Sequence, residues 1–467
     1  MEYKKIDEAD IDFLRNVCGE DQVVLRDNIL DDFCHDEMPG QFSAPDVMVY
    51  VQDVSAVSLI LKYANQKKIA VTPRGQGTGL VGGAIPLFGG ILLNLSKMNR
   101  ILELDENNFT LTVEPGVLIM DIYEYVEARG LYYPPNPGEK SASIGGNVST
   151  NAGGMSAVKY GVTRDYVRGL EVVTAEGEIL SLGGKIAKNS SGYSLVQLIT
   201  GSEGTLAVVT KIILRLIPKP KFLQSLLIPF DNLPAAIKTV PEIFKSKIIP
   251  RSIEFMTQDM LSSSEQYLGR RFPDHSGNAY LLLAFDGNSL PEIEKESDQI
   301  AELCILHGAK DAFLIDTNER NDAVWKPRSS YLEIIKASTS EIDECDVVVP
   351  IDRVAEFVEF AQNLEKECGL RIRSMGHAGD GNLHIYALRD KLDQKLWKEK
   401  IDHLFDRLYS HASEIGGKVS GEHGIGSAKL PYQYQIEGKA VMQMMYRIKQ
   451  AFDPNEILNP GKVVQYN

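Results

Sequence analysis

Apolar residues follow two rhythms along the chain, one with helical spacing and one alternating or continuous, and the way the two interleave changes at about residue 220. Val54, Val57, Ile60, Leu61 and Ala64 share one helical face, and Asp53 stands where an N-cap belongs. Residues 1–40 read as helix and polar connection, with helical spacing over 11–17. The stretches 69–71, 90–95, 101–104 and 109–113 predict short strands, the last alternating with period two. A helix over 118–129 ends at Gly130, placed as a C′ glycine. Residues 169–174 and 178–182 flank Ala175-Glu176-Gly177 and predict a hairpin, and 206–217 a long strand. Pro218 and Pro220 then break the pattern, which marks a domain boundary.

Beyond the prolines, strands are predicted over 222–230, 249–255, 279–285, 346–350, 370–375 and 383–388. Helices over 232–246, 291–307, 353–366 and 392–415 fall between or after them, and another over 439–452 precedes the tail Asn459-Pro460-Gly461-Lys462. Sheet with helices layered on it is an α+β architecture. There is no internal repeat and no low-complexity segment.

At 467 residues the chain is too long for one ordinary core, and 43% hydrophobic with 24% charged residues is the make-up of a globular protein rather than a disordered one. A net charge of −15 argues against nucleic acid or an anionic membrane as partner, because both demand a basic face. No apolar run approaches the roughly 18 residues of a membrane span, and residues 1–10 lack the apolar centre of a signal peptide, so a cytoplasmic protein is expected. Cys18, Cys34, Cys304, Cys345 and Cys368 are widely spaced with no C-x-x-C, which indicates neither a disulfide framework nor an iron–sulfur or zinc-finger site.

Candidate chemistry begins at Arg74-Gly-Gln-Gly-Thr-Gly-Leu-Val-Gly-Gly83, where bare backbone lets successive N–H groups converge on an anion. Gly77-Thr-Gly79-Leu-Val-Gly82 satisfies G-x-G-x-x-G, but Gly83-Ala-Ile-Pro86 after it is no helix start, as a dinucleotide fingerprint requires. A Walker A loop needs Gly-Lys-Ser/Thr, and no lysine occurs until Lys97. A second glycine-rich stretch, 134–154, and a third, Gly201-Ser-Glu-Gly-Thr205, each follow an apolar strand. Three phosphate-type loops in order suit a long ligand, and together they resemble the FAD-binding domain of the vanillyl-alcohol oxidase (PCMH) type, in which the pyrophosphate lies along loops.

Three of the eight histidines sit in glycine-rich contexts, in Gly376-His-Ala-Gly-Asp-Gly-Asn-Leu-His384 and Gly421-Glu-His-Gly-Ile-Gly426. His377, His384 and Glu422 offer two imidazoles and a carboxylate, a sound donor set for a divalent ion if the fold gathers them. On spacing alone, glycine-flanked turns are the competing reading.

Both segments are similar to the carboxy-terminal motifs of the glycolate, D-lactate and D-2-hydroxyglutarate dehydrogenases, and the likeness extends over about residues 40–465. Within that group the chain most resembles the lactate dehydrogenase flavoprotein subunits of anaerobic bacteria that work with an electron-transferring flavoprotein. The resemblance implies an α+β chain with an FAD-binding domain at 1–220 that includes an N-terminal helical extension, a cap domain at 221–415, and a segment 416–467 that returns to complete the FAD domain and the active site. It implies that FAD is contacted by Pro73, Arg74, Gly75, Gly77, Thr78, Gly79 and Leu80 of the first loop. Further contacts would come from Pro137, Gly138, Ser143, Ile144, Gly145, Gly146, Asn147, Ser149, Thr150, Asn151, Gly153, Gly154 and Gly161, and from Glu203, Gly204, Val209 and Asn459. Relatives that tether the flavin from the first loop use a histidine there; this loop has none, so FAD is expected without a covalent link.

By the same resemblance His377, His384 and Glu422 bind a zinc, iron or manganese ion, His423 is the catalytic base, Asn382 helps hold substrate, and Arg328 in Trp325-Lys-Pro-Arg-Ser329 grips the substrate carboxylate. Where some relatives carry Lys-Tyr before the strand aspartate, this chain has Glu344-Cys345-Asp346, which removes contacts to a second substrate carboxylate. Oxidation of D-lactate to pyruvate is therefore expected ahead of glycolate or D-2-hydroxyglutarate oxidation. A non-catalytic flavin-binding subunit of a larger oxidase is the alternative of another class. With neither a Rossmann site for NAD⁺ nor a cysteine cluster to carry electrons, a separate acceptor must dock, and the two-subunit electron-transferring flavoprotein is expected ahead of a quinone or oxygen.

Overall fold

The computed structural model describes residues 2–465, and the chain forms two compact units. Unit 1 comprises 1–152, 162–219 and 422–467, and unit 2 comprises 153–161 and 220–421.

Unit 1 opens on a four-stranded sheet. Its strands β1 (Val23–Leu25), β2 (Val47–Tyr50), β3 (Val71–Arg74) and β4 (Ile91–Asn94) lie in the order β1-β2-β4-β3. β2 and β3 both run parallel to β4, and the crossover from β2 is the helix Val54–Lys67. Asp53 caps that helix, its Oδ1 accepting from Ala56 N at 2.9 Å, and Lys68 ends it in the left-handed region at φ 54°. The apolar face read from the sequence, Val57, Ile60, Leu61 and Ala64, is wholly buried against Val47, Val49, Ile91 and Leu93.

A second, antiparallel sheet runs β5-β6-β10-β8-β9 and contains β5 (Ile101–Asp105), β6 (Thr110–Val113), β8 (Val167–Val173), β9 (Ile179–Gly183) and β10 (Val208–Arg215). The small strands β7 (Leu131–Tyr132) and β11 (Ile217–Pro218) pair separately. The end of the chain comes back to the first sheet: Val71 N donates to Ile457 O, and Asn459 N to Val71 O, both at 2.8 Å.

Two expectations in this unit need correction. The glycine-rich stretch 134–154 is not loop throughout, because Ile144–Thr150 is a helix with Ser143 as its N-cap. Two glycines in its first turn hid it, although a serine whose side chain accepts from the N–H three residues on, here that of Gly146, is a workable helix start. The expected helix over 439–452 begins after a break at Gly438, φ 75°, but a further helical stretch from Leu430 precedes it, so that the helical run spans Leu430–Phe452.

Unit 2 is built on a seven-stranded antiparallel sheet. It consists of β12 (Phe222–Phe230), β13 (Ser252–Thr257), β14 (Ala279–Gly287), β15 (Phe313–Ile315), β16 (Ile342–Val348), β17 (Arg371–His377) and β18 (Asn382–Leu388), in the order β15-β12-β14-β13-β17-β18-β16. Three helices escaped the sequence reading, Gln258–Leu268, Asn318–Ser329 and Tyr331–Ala337. The first two carry too few apolar residues to show a periodic face, and the third is only seven residues long; Met260, Leu261, Val324, Tyr331 and Ile334 are enough to pack on the sheet. On that face Met256, Tyr280, Leu282, Met375, Tyr386 and Leu388 complete one core cluster.

Candidate active site

The polar site of unit 2 lies on the same sheet face as this core. Side chains two apart on a strand share a face, so Glu254 follows Met256, His377 follows Met375, and His384 and Asn382 follow Tyr386 and Leu388. Towards one end of the strands the apolar face therefore gives way to carboxylates, imidazoles and an amide, nearly all buried.

Glu254 stands directly opposite His377 across β13 and β17. Its Oε1 lies 2.8 Å from His377 Nδ1, and its Oε2 accepts from Arg328 Nε at 2.8 Å and pairs with Nη2. Burial would push the Glu254 carboxyl up, but the Arg328 guanidinium and His377 outweigh it and hold it below the usual glutamate range. Arg328 is 5% exposed, so a surface ion pair with neighbouring Glu333 does not occur; Glu333 pairs with Lys336 instead. The helix carrying Arg328 is seated by Trp325, whose Nε1 donates to Ser225 Oγ at 3.0 Å.

The second histidine repeats the arrangement, with Glu344 Oε1 2.8 Å from His384 Nδ1. The two rings stand at 87° with centroids 5.6 Å apart. A carboxylate accepts from an imidazole N–H, so a neutral ring placed in this way carries its proton on Nδ1 and its lone pair on Nε2, the form in which imidazole binds a metal. The donor chemistry thus fits a divalent ion. Asn382 donates from Nδ2 to Asp346 Oδ1 at 2.7 Å and to Val347 O at 3.0 Å, which leaves its Oδ1 as the group to offer a ligand. Asp346 also accepts from Ser420 Oγ at 2.6 Å and from Gly421 N at 3.2 Å, fixing the chain just before Glu422 and His423. Those two residues open the last segment of unit 1, with His423 Nε2 3.7 Å from Glu422 Oε1.

The glycine loops of unit 1 fit an anion. Among the described residues, no backbone N–H from Gly75 to Gly83 donates to a protein acceptor, and most of the stretch is partly buried. Gly77 lies at φ 77°, and a Cβ there would fall 2.0 Å from the Arg74 guanidinium, which itself donates to Asp32 O and His35 O at 2.7 Å. A Cβ on Gly75 would meet Ser143 Oγ at 2.2 Å, so the first loop and the cap of the helix Ile144–Thr150 touch backbone to side chain. Asn147 Nδ2, buried on that helix, has no hydrogen-bond partner among the described residues. A row of unspent N–H groups with an unspent amide in the same unit suits the pyrophosphate and polar groups of FAD.

Glu203 and Asn459 turn out to spend their polar groups on the protein. The Glu203 carboxylate accepts from Ile425 N at 2.7 Å and Gly426 N at 2.8 Å, while its own N–H donates to Ser149 O. Beneath them the Lys462 amine donates to Ile85 O and Asn459 Oδ1. Burial draws that amine down to about 7, with Asp36 and Glu203 opposing the shift.

Glu254, the Glu344 bond to His384, and Lys462 were missed by sequence reasoning. A signal existed for the first: Ser252-Ile-Glu-Phe-Met-Thr257 places one carboxylate inside an apolar strand, where it needs partners.

Two families match along the chain. Residues 45–194 match the FAD binding domain family, and residues 219–463 match the family described as FAD linked oxidases, C-terminal domain. A D-lactate dehydrogenase of Anaerostipes hadrus is 44% identical over 99% of this chain and 98% of its own. Glycolate oxidase subunit GlcD of Bacillus subtilis is 39% identical over 92% and 91%, and a D-lactate dehydrogenase of Archaeoglobus fulgidus 39% over 90% and 91%. Among solved structures, p-cresol methylhydroxylase superposes with a TM-score of 0.79 at 19% identity, covering 98% of both chains, which bears on the fold alone. The fold and the loop chemistry define an FAD-dependent oxidoreductase with the vanillyl-alcohol oxidase architecture. Within that class the chain belongs to the FAD-linked D-lactate dehydrogenase and glycolate oxidase family.

Proposed function

We propose that the protein oxidises a small 2-hydroxy acid, D-lactate foremost, to the 2-oxo acid and passes the electrons to an electron-transferring flavoprotein. One observation within the site supports this most directly: two buried imidazoles, each with its Nδ1 on a carboxylate, share a sheet face with Asn382, and Arg328, from the helix Asn318–Ser329, pairs to one of those carboxylates. The 44% identity to a D-lactate dehydrogenase across nearly all of both chains supports the substrate. When bound, FAD supplies the acceptor for the hydrogen at C2, and a divalent metal supplies a Lewis acid for the 2-hydroxyl.

In this reading His377, His384 and Glu422 hold the metal, and His423 takes the hydroxyl proton. Arg328 has its Nε and Nη2 on Glu254 and an Nη1 hydrogen on Met375 Sδ at 3.3 Å, so the remaining Nη1 and Nη2 hydrogens are what it offers the substrate carboxylate. Asn382 accepts a hydrogen bond through Oδ1. Residues 1–220 and 416–467 form the FAD domain and 221–415 the cap. FAD is held without a covalent bond, in the cytoplasm. The choice of acceptor is supported by five scattered cysteines with no C-x-x-C among them, which offer no iron–sulfur wiring, and by the finding that no helix among the described residues is long and apolar enough to cross a membrane.

Glycolate is the second reading, favoured by the 39% identity to a glycolate oxidase subunit. Anaerobic bleaching of the flavin absorbance by a panel of D- and L-2-hydroxy acids tests both. Rapid bleaching by D-lactate is expected, and a panel in which no 2-hydroxy acid bleaches the flavin would defeat the proposal.

A further inference from the structure

We infer that Glu254 and Glu344 are positioning residues that fix which nitrogen of His377 and His384 faces a metal. The inference rests on the proposal that these histidines are ligands and goes beyond it by naming what orients them.

The two carboxylates reach their rings by different routes. Glu254 does so from the cross-strand position opposite His377, whereas Glu344 lies opposite Tyr386 and reaches diagonally to His384, whose own opposite residue is Asp346. Both contacts end on Nδ1 at 2.8 Å. A neutral imidazole otherwise divides its proton between two nitrogens; a carboxylate acceptor on Nδ1 settles it there and makes Nε2 the better donor to a cation. Glu254 also answers the charge of Arg328, so one buried carboxylate orders both a ligand ring and the guanidinium. A pair of merely structural ion pairs would place no requirement on which ring nitrogen is bonded. Here it is the same one in both rings, and the rings stand at 87°.

The first test is the long-range ¹H–¹⁵N spectrum of the FAD-loaded, metal-stripped protein labelled with ¹⁵N-histidine. His377 and His384, assigned by loss of their signals in His377→Gln and His384→Gln, are expected with the proton on Nδ1; a proton on Nε2 in either ring overturns the inference. The second is Mn²⁺ and Zn²⁺ affinity by competition with a chromogenic chelator. Glu344→Ala is expected to bind about 10- to 100-fold more weakly, and Glu344→Gln, which can still accept from Nδ1–H, to recover part of the loss. Glu254→Ala is expected to behave likewise. Should it fail to fold because Arg328 loses its partner, Glu344 decides, since it lies on edge strand β16 and its side chain is 11% exposed. Wild-type protein that binds neither ion tightly, or His384→Ala that binds as well as wild type, defeats the metal reading itself. Wild-type and Glu344→Ala proteins that bind equally tightly defeat only the positioning role.

Discussion

The side-chain amide of Asn459 donates to Glu203 O at 2.8 Å and, with its other hydrogen, to Gly83 O at 2.9 Å. One residue eight from the end of the chain thereby ties together the end of the first glycine loop and the third, and its Oδ1 accepts from Lys462. FAD retention should therefore depend on Asn459 whether or not it touches the cofactor. Asn459→Ala leaves these buried groups unanswered, each worth about 1–3 kcal/mol. A lower melting temperature and flavin lost on ultrafiltration are expected; unchanged flavin content after repeated washing would refute this.

The buried pair of Arg328 and Glu254 should show strong coupling. Removing one partner of a buried pair costs about 3–5 kcal/mol because the other charge is stranded, whereas replacing both with apolar residues of similar volume costs much less. Arg328→Met is thus expected to be less stable in urea than Arg328→Met/Glu254→Met. Equal or greater stability of the single variant would show that Glu254 is not held ionised by Arg328.

His423→Ala and His377→Ala should fail in different ways. Loss of a general base costs about 10²- to 10⁴-fold in turnover with the metal kept, while loss of a ligand lowers metal content as well. Metal analysis alongside lactate turnover distinguishes the two, and equal metal loss in both variants would mean that the roles are wrongly divided.

Lys462 gives a pH signature. Its amine lies near 7 in the folded chain against 10.5 in an unfolded one, so between these values the unfolded state binds one more proton and stability rises with pH. The contribution is about 1.4 kcal/mol per pH unit over that window and levels off above it. Lys462→Met should lose this slope in urea titrations from pH 7 to 10, with Asp36 and Glu203 still in place; an identical slope in the variant counts against the assignment.

The isolated subunit should not reduce NAD⁺, should reduce artificial acceptors with D-lactate, and should release all its flavin on acid precipitation. Yellow colour on the pellet would show a covalent link, and NAD⁺ reduction by the single chain would remove the need for a second flavoprotein.

Strong periodicity made much of the fold legible. Phe222–Phe230 is a strand over the residues its apolar run predicts, and Leu233–Lys245 and Val354–Cys368 are helices within two residues of the expected bounds. What escaped had weak local signals: β1 is three residues long and gains its order from pairing with β2, and the helix Asn318–Ser329 is polar apart from the residues its neighbours cover. The glycine loops and both histidine motifs stood out because they break the surrounding pattern. Glu254 did not, since its meaning depends on Arg328, 74 positions away, and on a strand register that joins it to His377.

The placement of the chain's end bears on how the protein is made. β3, which leads into the first glycine loop, has Val71 bonded to Ile457 and Asn459, and Tyr3 Oη donates to Glu456 O at 2.8 Å. A ribosome delivers Glu456 only after more than four hundred residues have emerged. Until then β3 and the end of the first glycine loop lack these partners, so cofactor loading is expected only after residues 456–459 have emerged. Closing so long a stretch of chain is slow. A chain cut short before residue 456 would contain every glycine loop and both histidines of the β17–β18 hairpin, and is expected to be deficient in flavin.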